Sequence, residues 1–494
     1  MSTLLFKGNY IDGRFNQPGG RSHSLVSKDP GDLDHPVGTF AFSEEDVDGA
    51  VLAAQKAFPS WSEKEQRVRD RAAIHFQKAL KKRSRDLAVL ISREMGKPIQ
   101  DAEQEVARMI DRVPLARTDS ARIRKGEAFS IKPGVRGLLR YKPRGVLGIL
   151  GPFNFPAHLP NTQILAGILL GNSVVFKPSE LTPFVGQFLA ELWDEADLPE
   201  GVFNLIQGDG RVGRALAIHE GVQAILFTGS YATGQKIREE TVHQPAKLVA
   251  LEMGGKNGAI ISRHVDLEEA VCGTLLGTFS MAGQRCNATS RILVEKQIAK
   301  RFLDRFMASV KTLKVGYSLD PDVFIGPLVS RRAVEKYFSL TALAPQEGFD
   351  VLQKAEPVLQ EKKGYYVGPS VALKEVKKGE TPAGAYTEEE IFGPNVAIYV
   401  VESLEEAVRL HNSSRYGLVA SFFSTRKEEF EWIFRRLEVG LLNWNQSTTV
   451  SSALLPFGGL KQSGSHHPVG SFVPYLCAYP VAVIEKRSSK RKER

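Results

Sequence analysis

Residues 145–178 read GVLGILGPFNFPAHLPNTQILAGILLGNSVVFKP: a short apolar run, an apolar stretch of helical length and a second short apolar run. The short runs consist mainly of Val, Ile, Leu and Phe, which is typical of strands that are buried on both faces. A strand, a helix and a second strand in succession predict the βαβ unit of a parallel sheet. We therefore expect this stretch to lie at the centre of an α/β fold.

The same alternation continues on both sides of this stretch. The apolar runs VFNLIQG, AILFTGS and AKLVALEM follow it, and a second series with SRILVE, NVAIYVV and VASFFS begins near Asn257. Upstream, residues 67–94 and 99–116 place apolar side chains at spacings of three and four, which predicts helices. We expect two α/β lobes, each with a parallel sheet, and a ligand-binding cleft between them.

The composition excludes several classes of protein. Of the 494 residues, 42% are hydrophobic and 24% are charged, which is ordinary for globular proteins and argues against disorder or a fibre. No apolar run is long enough to span a membrane, and the first residues lack the pattern of a secretory signal. Three cysteines do not make a disulfide framework, which favours a reducing compartment. We expect a cytoplasmic protein with no membrane partner.

The net charge of +9 is partly local, because Lys486–Arg494 contains six basic residues and one acidic residue. Such a tail is either a tether for nucleic acid or a solvated chain end. The rest of the chain has no nucleic-acid-binding motif, so we expect a solvated end and no nucleic-acid partner. The adjacent pair His466 and His467 has no accompanying ligands at metal-binding spacing, so we expect no metal.

Two glycine patterns compete for the phosphates of a dinucleotide. The stretch 208–213 (GDGRVG) has the spacing of the dinucleotide fingerprint, whereas 229–234 (GSYATG) has wider spacing. Each follows a predicted strand and opens a predicted helix, where free N–H groups favour an anion. Each glycine pattern is equally consistent with an ordinary turn between a strand and a helix.

Three side chains have the chemistry of a nucleophilic site. Cys286 follows Arg285, whose charge favours the thiolate, the nucleophilic form; the alternative is a small buried apolar residue. Glu252 ends an apolar strand, and its alternative role is a salt bridge with Lys247 or Lys256. Asn154, in PFNFP, is able to donate to an oxyanion or to cap a turn.

Taken in order, the motifs PFNFP, FKPSE, FTGS, LEMGGK, GQRC, EEIFGP and PFGG over residues 152–459 resemble the aldehyde dehydrogenase superfamily. Within it, residues 152–183 together with LNWNQ, SGSHHP and CAYP are most similar to the branch that oxidises succinylglutamate semialdehyde in bacterial arginine catabolism. The resemblance implies an aldehyde dehydrogenase-like α/β fold with a Rossmann-like cofactor lobe, a catalytic lobe and a small oligomerisation arm. It also implies a homodimer or homotetramer.

The resemblance also implies a division of the chain into domains. They are a discontinuous NAD-binding domain at 1–118 and 139–252, a catalytic domain at 253–440, an oligomerisation arm at 119–138 and 470–490, and a returning segment at 441–469 that lines the cleft. In this division the glycine turn at 229–234 serves the cofactor, and the turn at 208–213 is structural.

The resemblance also assigns roles to individual residues. Cys286 matches the family nucleophile, Glu252 the general base and Asn154 the amide of the oxyanion hole. The residues that match contacts to NAD are Lys177, Glu180, Gly229, Ser230, Gly234, Glu390 and Phe392. The predicted substrate pocket consists of Phe155, His158, Arg285, Asn287 and Phe457. An acidic aldehyde needs cationic partners, for which Arg285, His158 and the His466–His467 pair are candidates.

The sequence departs from the family pattern at a few positions and leaves alternatives open. Phe153 replaces the more common Trp, Met253 replaces Leu, and SGSHHP differs from the SGNHRP of the arginine-pathway branch. The alternative substrates are therefore glutamate semialdehyde (pyrroline-5-carboxylate) or a broad range of aldehydes. A relative that passes its acyl group to coenzyme A and a catalytically silent binding protein are the remaining classes; Glu252 disfavours the first, and the presence of all three catalytic types disfavours the second.

Overall fold

The computed structural model describes residues 4–486. The basic tail from residue 487 onward, and with it the last part of the predicted arm, lies outside the described residues. Helices and strands are numbered in chain order below.

The helices are α1 (Asp46–Glu63), α2 (Gln66–Lys82), α3 (Ser84–Met95), α4 (Ile99–Lys125), α5 (His158–Leu169), α6 (Pro183–Asp194), α7 (Gly210–Ile218), α8 (Tyr231–Thr241), α9 (Leu267–Phe279), α10 (Lys296–Val310), α11 (Arg331–Thr341), α12 (Ala385–Glu388), α13 (Leu404–Asn412), α14 (Lys427–Phe434) and α15 (Val473–Leu476). Within residues 4–486, every helix is too short or too polar to cross a lipid bilayer.

The strands are β1 (Asn9–Ile11), β2 (Arg14–Asn16), β3 (His23–Ser27), β4 (Gly38–Phe42), β5 (Glu127–Lys132), β6 (Val135–Pro143), β7 (Val146–Leu150), β8 (Ser173–Lys177), β9 (Phe203–Leu205), β10 (Ala224–Gly229), β11 (Leu248–Met253), β12 (Asn257–Ile261), β13 (Thr289–Glu295), β14 (Asp350–Gln353), β15 (Ser370–Glu375), β16 (Asn395–Val401), β17 (Tyr416–Gly417), β18 (Val419–Phe423), β19 (Leu441–Trp444), β20 (Pro456–Phe457), β21 (Leu460–Lys461), β22 (Gly464–Ser465), β23 (Val469–Gly470) and β24 (Ala478–Lys486).

The first large sheet has the strand order β2-β1-β9-β8-β7-β10-β11-β22, in which β9, β8, β7, β10 and β11 are parallel. Every residue of β7 and β8 is buried, as the apolar runs of 145–178 predict. Helix α5 between them is buried from Leu159 through Leu169. Its second half, 164–169, is apolar on all sides, which is typical of a helix inside a protein, and α5 accordingly lies in the core of this lobe.

The second large sheet has the order β14-β15-β16-β13-β12-β18-β19, and all of its neighbouring strands except β14 and β15 run parallel. It has its own apolar core. Strand β19 starts at Leu441, so the sheet continues just past residue 440, where we placed the domain boundary. The predicted pair of parallel-sheet lobes is therefore present.

Two connections fix the lobes relative to each other. The chain passes from β11 to β12 through Gly254–Lys256, and later β22 returns to pair with β11 in the first sheet. On another side, Tyr317 Oη donates to the Asp29 carboxylate at 2.9 Å, and Tyr366 Oη donates to the Gly31 carbonyl at 2.7 Å.

A third sheet joins β24, β6 and β5 in antiparallel order. It unites parts of the two segments predicted to form the arm, although residues 119–125 are still the end of α4. Phe129, Ile131 and Ile484 leave apolar side chains exposed on these strands. Their role in oligomerisation stays a prediction.

The helical stretch predicted over 67–94 is divided at Arg83 into α2 and α3. Arg83 has φ −109° and ψ 18°, outside the helical region. Its guanidinium group pairs with Glu191 at 2.6 Å and with Glu195 at 3.2 Å, and it lies over the ring of Phe188. Apolar spacing on its own does not reveal these contacts with α6.

Candidate active site

The parallel strands of the first sheet end at one edge, where the predicted residues gather. Asn154 follows β7, Lys177 ends β8 and Ser230 follows β10. Glu252 is the penultimate residue of β11, just before the chain crosses to the second lobe. Ligands of open parallel sheets bind beyond the carboxyl ends of the strands. The observed topology therefore brings together side chains that are about 100 residues apart in sequence.

Cys286 lies in a loop whose backbone is tightly constrained. After α9, Met281, Ala282 and Gly283 have left-handed φ angles of 52°, 55° and 66°. A Cβ on Gly283 would lie 2.3 Å from the carbonyl oxygen of Gly393, so glycine is required there. The side chain of Asn257 donates to the Cys286 carbonyl at 2.8 Å. This loop therefore holds the sulfur in a defined position.

The Cys286 side chain is partly buried against an apolar cluster. Phe155, Leu159, Phe457 and Val469 belong to this cluster. Two of the predicted pocket residues, Phe155 and Phe457, therefore do lie in the apolar surroundings of Cys286. Such walls exclude water from the sulfur and suit an aliphatic aldehyde chain.

Glu252 and Cys286 form a buried acid–thiol pair across the lobes. Burial raises the pKa of Glu252 to about 8, although a hydrogen bond from the Cys286 thiol acts against this. Burial, followed by the neighbouring Glu252 carboxylate, raises the pKa of the Cys286 thiol well above its ordinary value. Both shifts favour the protonated forms of these groups. The expectation that Arg285 favours the thiolate is outweighed, because its opposing effect on the pKa of Cys286 is the smallest.

The alternative salt bridges of Glu252 do not form. Lys247 donates to the carbonyl groups of Ala217 and His219, and Lys256 donates to carbonyl groups at the end of α12. Oε1 of Glu252 is buried without a hydrogen-bond partner in the described part of the chain. A buried carboxyl oxygen without a partner is costly, and such groups concentrate at functional sites.

The amide of Asn154 is fixed next to the cysteine loop. Its Nδ2 donates to the carbonyl oxygen of Gln284 at 3.2 Å, and its Oδ1 accepts from the backbone N–H of Phe155 at 3.1 Å. A carboxamide nitrogen carries two protons, so one remains for a ligand oxygen. Gln284 is itself held, because its Oε1 accepts from the Val329 N–H at 2.9 Å. Asn154 therefore both caps its turn and presents a donor near Cys286.

A buried ion pair lies beneath this loop, and sequence reasoning missed it. Lys97 and Glu105 are in contact with both side chains fully buried. The Glu105 carboxylate also accepts from the backbone N–H groups of Ala157 at 3.1 Å and His158 at 2.9 Å, where a carboxylate is stabilised by the start of α5. The Lys97 ammonium lies 3.9 Å from the centre of the Phe155 ring. The sequence feature that pointed to this ion pair is an acidic residue, Glu105, on the apolar face of α4.

Not all of the residues predicted to pair with a substrate carboxylate carry a positive charge that is free to do so. Burial lowers the pKa of His158 to about 3, so this imidazole is neutral and supplies no positive charge. Arg285 donates from Nε to Asn287 Oδ1 at 3.3 Å and from Nη2 to the Thr449 carbonyl at 3.1 Å. Its guanidinium carbon also lies 5.3 Å from the Phe155 ring centre. Arg285 and Asn287 thus connect the cysteine loop to residue 449.

The His466–His467 pair follows β22, the short strand that pairs with β11 at Glu252. Gly464 pairs with Glu252 between β22 and β11, and a Cβ at Gly464 would lie 2.2 Å from the Leu251 carbonyl oxygen. Both histidines have left-handed φ angles, 65° and 52°. Burial lowers the pKa of His467, which disfavours its charged form.

The cofactor residues frame one side of the cleft. The nearly buried Lys177 places Nζ 3.5 Å from Oε2 of the more exposed Glu180. Ser230 caps α8, accepting from the Thr233 N–H at 3.3 Å. Gly234 lies so close to Met253 that a Cβ would be 2.4 Å from its sulfur. An ammonium, a carboxylate and a helix N-terminus at the carboxyl edge fit the ribose and phosphates of a dinucleotide.

The opposite side of the cleft carries Glu390 and Phe392. Gly255 N–H donates to Oε1 of Glu390 at 2.8 Å, and burial raises the pKa of Glu390 to about 7. Phe392 has a left-handed φ of 59°. Its ring centroid lies 5.8 Å from that of Phe153, at an interplanar angle of 75°. The Phe that replaces the usual Trp at 153 therefore still makes an aromatic contact across the cleft.

Comparisons with known proteins agree with this geometry. The aldehyde dehydrogenase family matches residues 20–475. N-succinylglutamate 5-semialdehyde dehydrogenases of Legionella pneumophila (strain Corby) and Escherichia coli O157:H7 are 34% identical to this chain, over 98% of it and 96% of each relative. The crystal structure of an NAD-dependent aldehyde dehydrogenase from Sinorhizobium meliloti has a TM-score of 0.91 at 31% identity, covering 98% of this chain and 95% of that one. The predicted fold class and the resemblance are confirmed.

Proposed function

This chain belongs to the aldehyde dehydrogenase family, and from that premise we propose that it oxidises N-succinylglutamate 5-semialdehyde to N-succinylglutamate with NAD. The observation that carries the proposal is the buried Glu252–Cys286 pair beside the amide of Asn154. The names of the two relatives quoted above support the substrate.

The first step is addition of the sulfur to the aldehyde. In the molecules whose Glu252 is ionised, Cys286 attacks the carbonyl carbon, its proton passes to the Glu252 carboxylate, and a C–S bond replaces the C=O π bond. The resulting oxyanion accepts a hydrogen bond from the free proton on Asn154 Nδ2 and another from the Cys286 backbone N–H. Donors fixed before the reaction stabilise developing charge without reorganisation, and the Gln284 and Phe155 contacts hold Asn154 in this way.

The second step converts this adduct to the acid. A nicotinamide bound in the cleft would supply the hydride acceptor, and loss of hydride from the former aldehyde carbon would leave Cys286 joined to the acyl group as a thioester. Glu252 releases the proton from the first step to solvent, and its carboxylate then takes a proton from the water that attacks the thioester carbon. The C–S bond breaks, the carboxylic acid leaves, and the thiol is restored. Lys177, Glu180, Glu390 and Phe392 are the residues that would hold the dinucleotide.

NAD rather than NADP is supported by the charge around Lys177. The Glu180 carboxylate is within 3.5 Å of the ammonium, and Asp209 contributes a second negative charge nearby. An acid that accepts from a ribose 2′-hydroxyl repels a 2′-phosphate.

Two further expectations stay part of the proposal. The described cysteines are all unpaired, which supports a reducing, cytoplasmic location. The exposed apolar side chains of β5 and β24 support a homodimer or homotetramer formed through the three-stranded sheet.

A panel of aldehydes tests the proposal directly. With NAD, the enzyme is expected to have its highest kcat/KM on N-succinylglutamate 5-semialdehyde, measured by the absorbance of reduced nicotinamide. Higher kcat/KM on glutamate semialdehyde or on simple aliphatic aldehydes would replace the proposed substrate with one of the two alternatives. Acceleration by coenzyme A, with an acyl-CoA product, would contradict hydrolysis by Glu252.

A further inference from the structure

We propose that Arg108 on α4 binds a carboxylate of the substrate at the entrance to the Cys286 site and so selects acidic aldehydes. This inference rests on the proposed function, because it names the residue that would recognise the charged end of that substrate. Arg108 belongs to no motif discussed above.

The helix geometry places Arg108 at the entrance. Residues three or four apart share one helix face, so Arg108 lies between Glu105 and Arg112. Glu105 contacts the start of α5, and Arg112 donates to the carbonyl groups of Ala453 at 3.1 Å and Gly470 at 3.3 Å. The Arg108 side chain therefore projects between α5 and the 453–470 segment, which both contribute to the apolar walls around Cys286.

Arg108 has no carboxylate partner on this face. Lys97 pairs with Glu105, and Arg112 pairs with Asp119. His158 is neutral. Arg108 and Arg285 both act to lower the pKa of Asp101, and Asp111, three residues further along α4, is exposed and forms no ion pair with Arg108 across residues 4–486. The guanidinium group of Arg108 is therefore open to an approaching carboxylate.

The guanidinium group of Arg108 is also free to bind. The side chain is exposed, and across residues 4–486 it makes neither an ion pair nor a side-chain hydrogen bond, whereas the lysine and arginine neighbours Lys97, Arg112 and Arg122 each have a carboxylate partner. Arg285 uses two of its nitrogens on Asn287 and Thr449. A free guanidinium fork matches a carboxylate in two parallel hydrogen bonds.

The shape of the substrate suits this position. In N-succinylglutamate 5-semialdehyde the carboxylates are separated from the aldehyde by carbon chains. With the aldehyde at Cys286, the apolar walls contact the chain, and a carboxylate reaches outward to the entrance. A cation at the entrance therefore discriminates among aldehydes without touching the reacting atoms.

The test compares Arg108→Met with wild type on one acidic and one neutral aldehyde. For N-succinylglutamate 5-semialdehyde, kcat/KM is expected to fall about 10- to 100-fold, mainly through KM, because a charge-assisted hydrogen bond is lost. For hexanal it is expected to stay within about twofold. Arg108→Lys should recover part of the loss, since the charge remains but the fork does not.

Arg122→Met is the matched control. Arg122 is on the same helix, about 21 Å further along at 1.5 Å per residue, and is 58% exposed. The Arg122→Met variant should prefer the acidic aldehyde over hexanal as strongly as wild type does. Equal losses on both aldehydes in Arg108→Met, or no loss on either, would overturn the inference while the proposed function stands. If wild type itself does not prefer the acidic aldehyde, the proposed substrate fails first.

Discussion

Glu252, at the end of a strand of the first lobe, lies beside the thiol of Cys286, which the second lobe carries, and each group shifts the pKa of the other. The pair exists only when the lobes are assembled, because Glu252 belongs to the first sheet and Cys286 to a loop of the second lobe. The Glu252 carboxylate raises the pKa of the Cys286 thiol, and in its ionised form it is placed to accept the proton that the sulfur releases.

Replacing Glu252 with Gln should separate the two half-reactions. The amide fills the same space but does not take a proton from water, so the thioester on Cys286 should accumulate while turnover slows. Mass spectrometry of the intact protein after mixing with aldehyde and NAD checks this, through an added acyl mass. Glu268→Gln, an exposed acid on α9, is the control and should show no adduct. An unchanged rate in Glu252→Gln would remove Glu252 from the mechanism.

The pH dependence of thioester hydrolysis should follow the ionisation of Glu252. Because burial raises the pKa of this carboxyl to about 8, it is protonated at pH 6 and cannot act as a base there. The rate is expected to rise about tenfold per pH unit below this pKa and to level off above it. Single-turnover decay of the acyl-enzyme between pH 6 and 10 measures it. A rate that is flat across this range would contradict the assignment.

Much of this arrangement was predictable from the sequence. The apolar runs of 145–178 predicted β7, α5 and β8 because a strand buried on both faces has a distinctive composition, and the motif order located Cys286, Glu252 and Asn154. The Lys97–Glu105 pair was not predictable, since an acid on the apolar face of a helix does not reveal its partner. The ionisation states of Cys286 and His158 were also out of reach, because they depend on burial by distant segments.

Replacing Cys286 with Ala should abolish NAD reduction and any esterase activity together, because both need the sulfur. The site around it is built from other residues, so the fold should persist; circular dichroism and the thermal midpoint check that. Cys272→Ala, at an exposed cysteine on α9, is the matched control and should keep full activity. Turnover retained by Cys286→Ala would exclude this residue as the nucleophile.

Breaking the Lys97–Glu105 pair on one side should destabilise the protein strongly. Glu105→Gln leaves a fully buried ammonium without its counter-charge, which costs about 3–5 kcal/mol. The double variant Lys97→Met, Glu105→Gln should recover much of the loss, because no unpaired charge remains. Thermal midpoints of the two single variants and the double variant form the cycle that measures the coupling. If the double variant loses as much stability as the two single variants together, the two residues do not stabilise the protein as a pair.

Replacing Glu180 with Gln should weaken the discrimination between the two coenzymes. The carboxylate beside Lys177 repels a 2′-phosphate, whereas a neutral amide leaves the ammonium free to attract it. We expect the KM for NADP to fall by about tenfold, equivalent to about 1.4 kcal/mol, while the KM for NAD rises. Initial rates with each coenzyme at a fixed aldehyde concentration measure this ratio. Glu405→Gln, at an exposed acidic residue on α13, is the control and should leave the ratio unchanged. A wild-type preference for NADP would contradict the role of Glu180 before any variant is made.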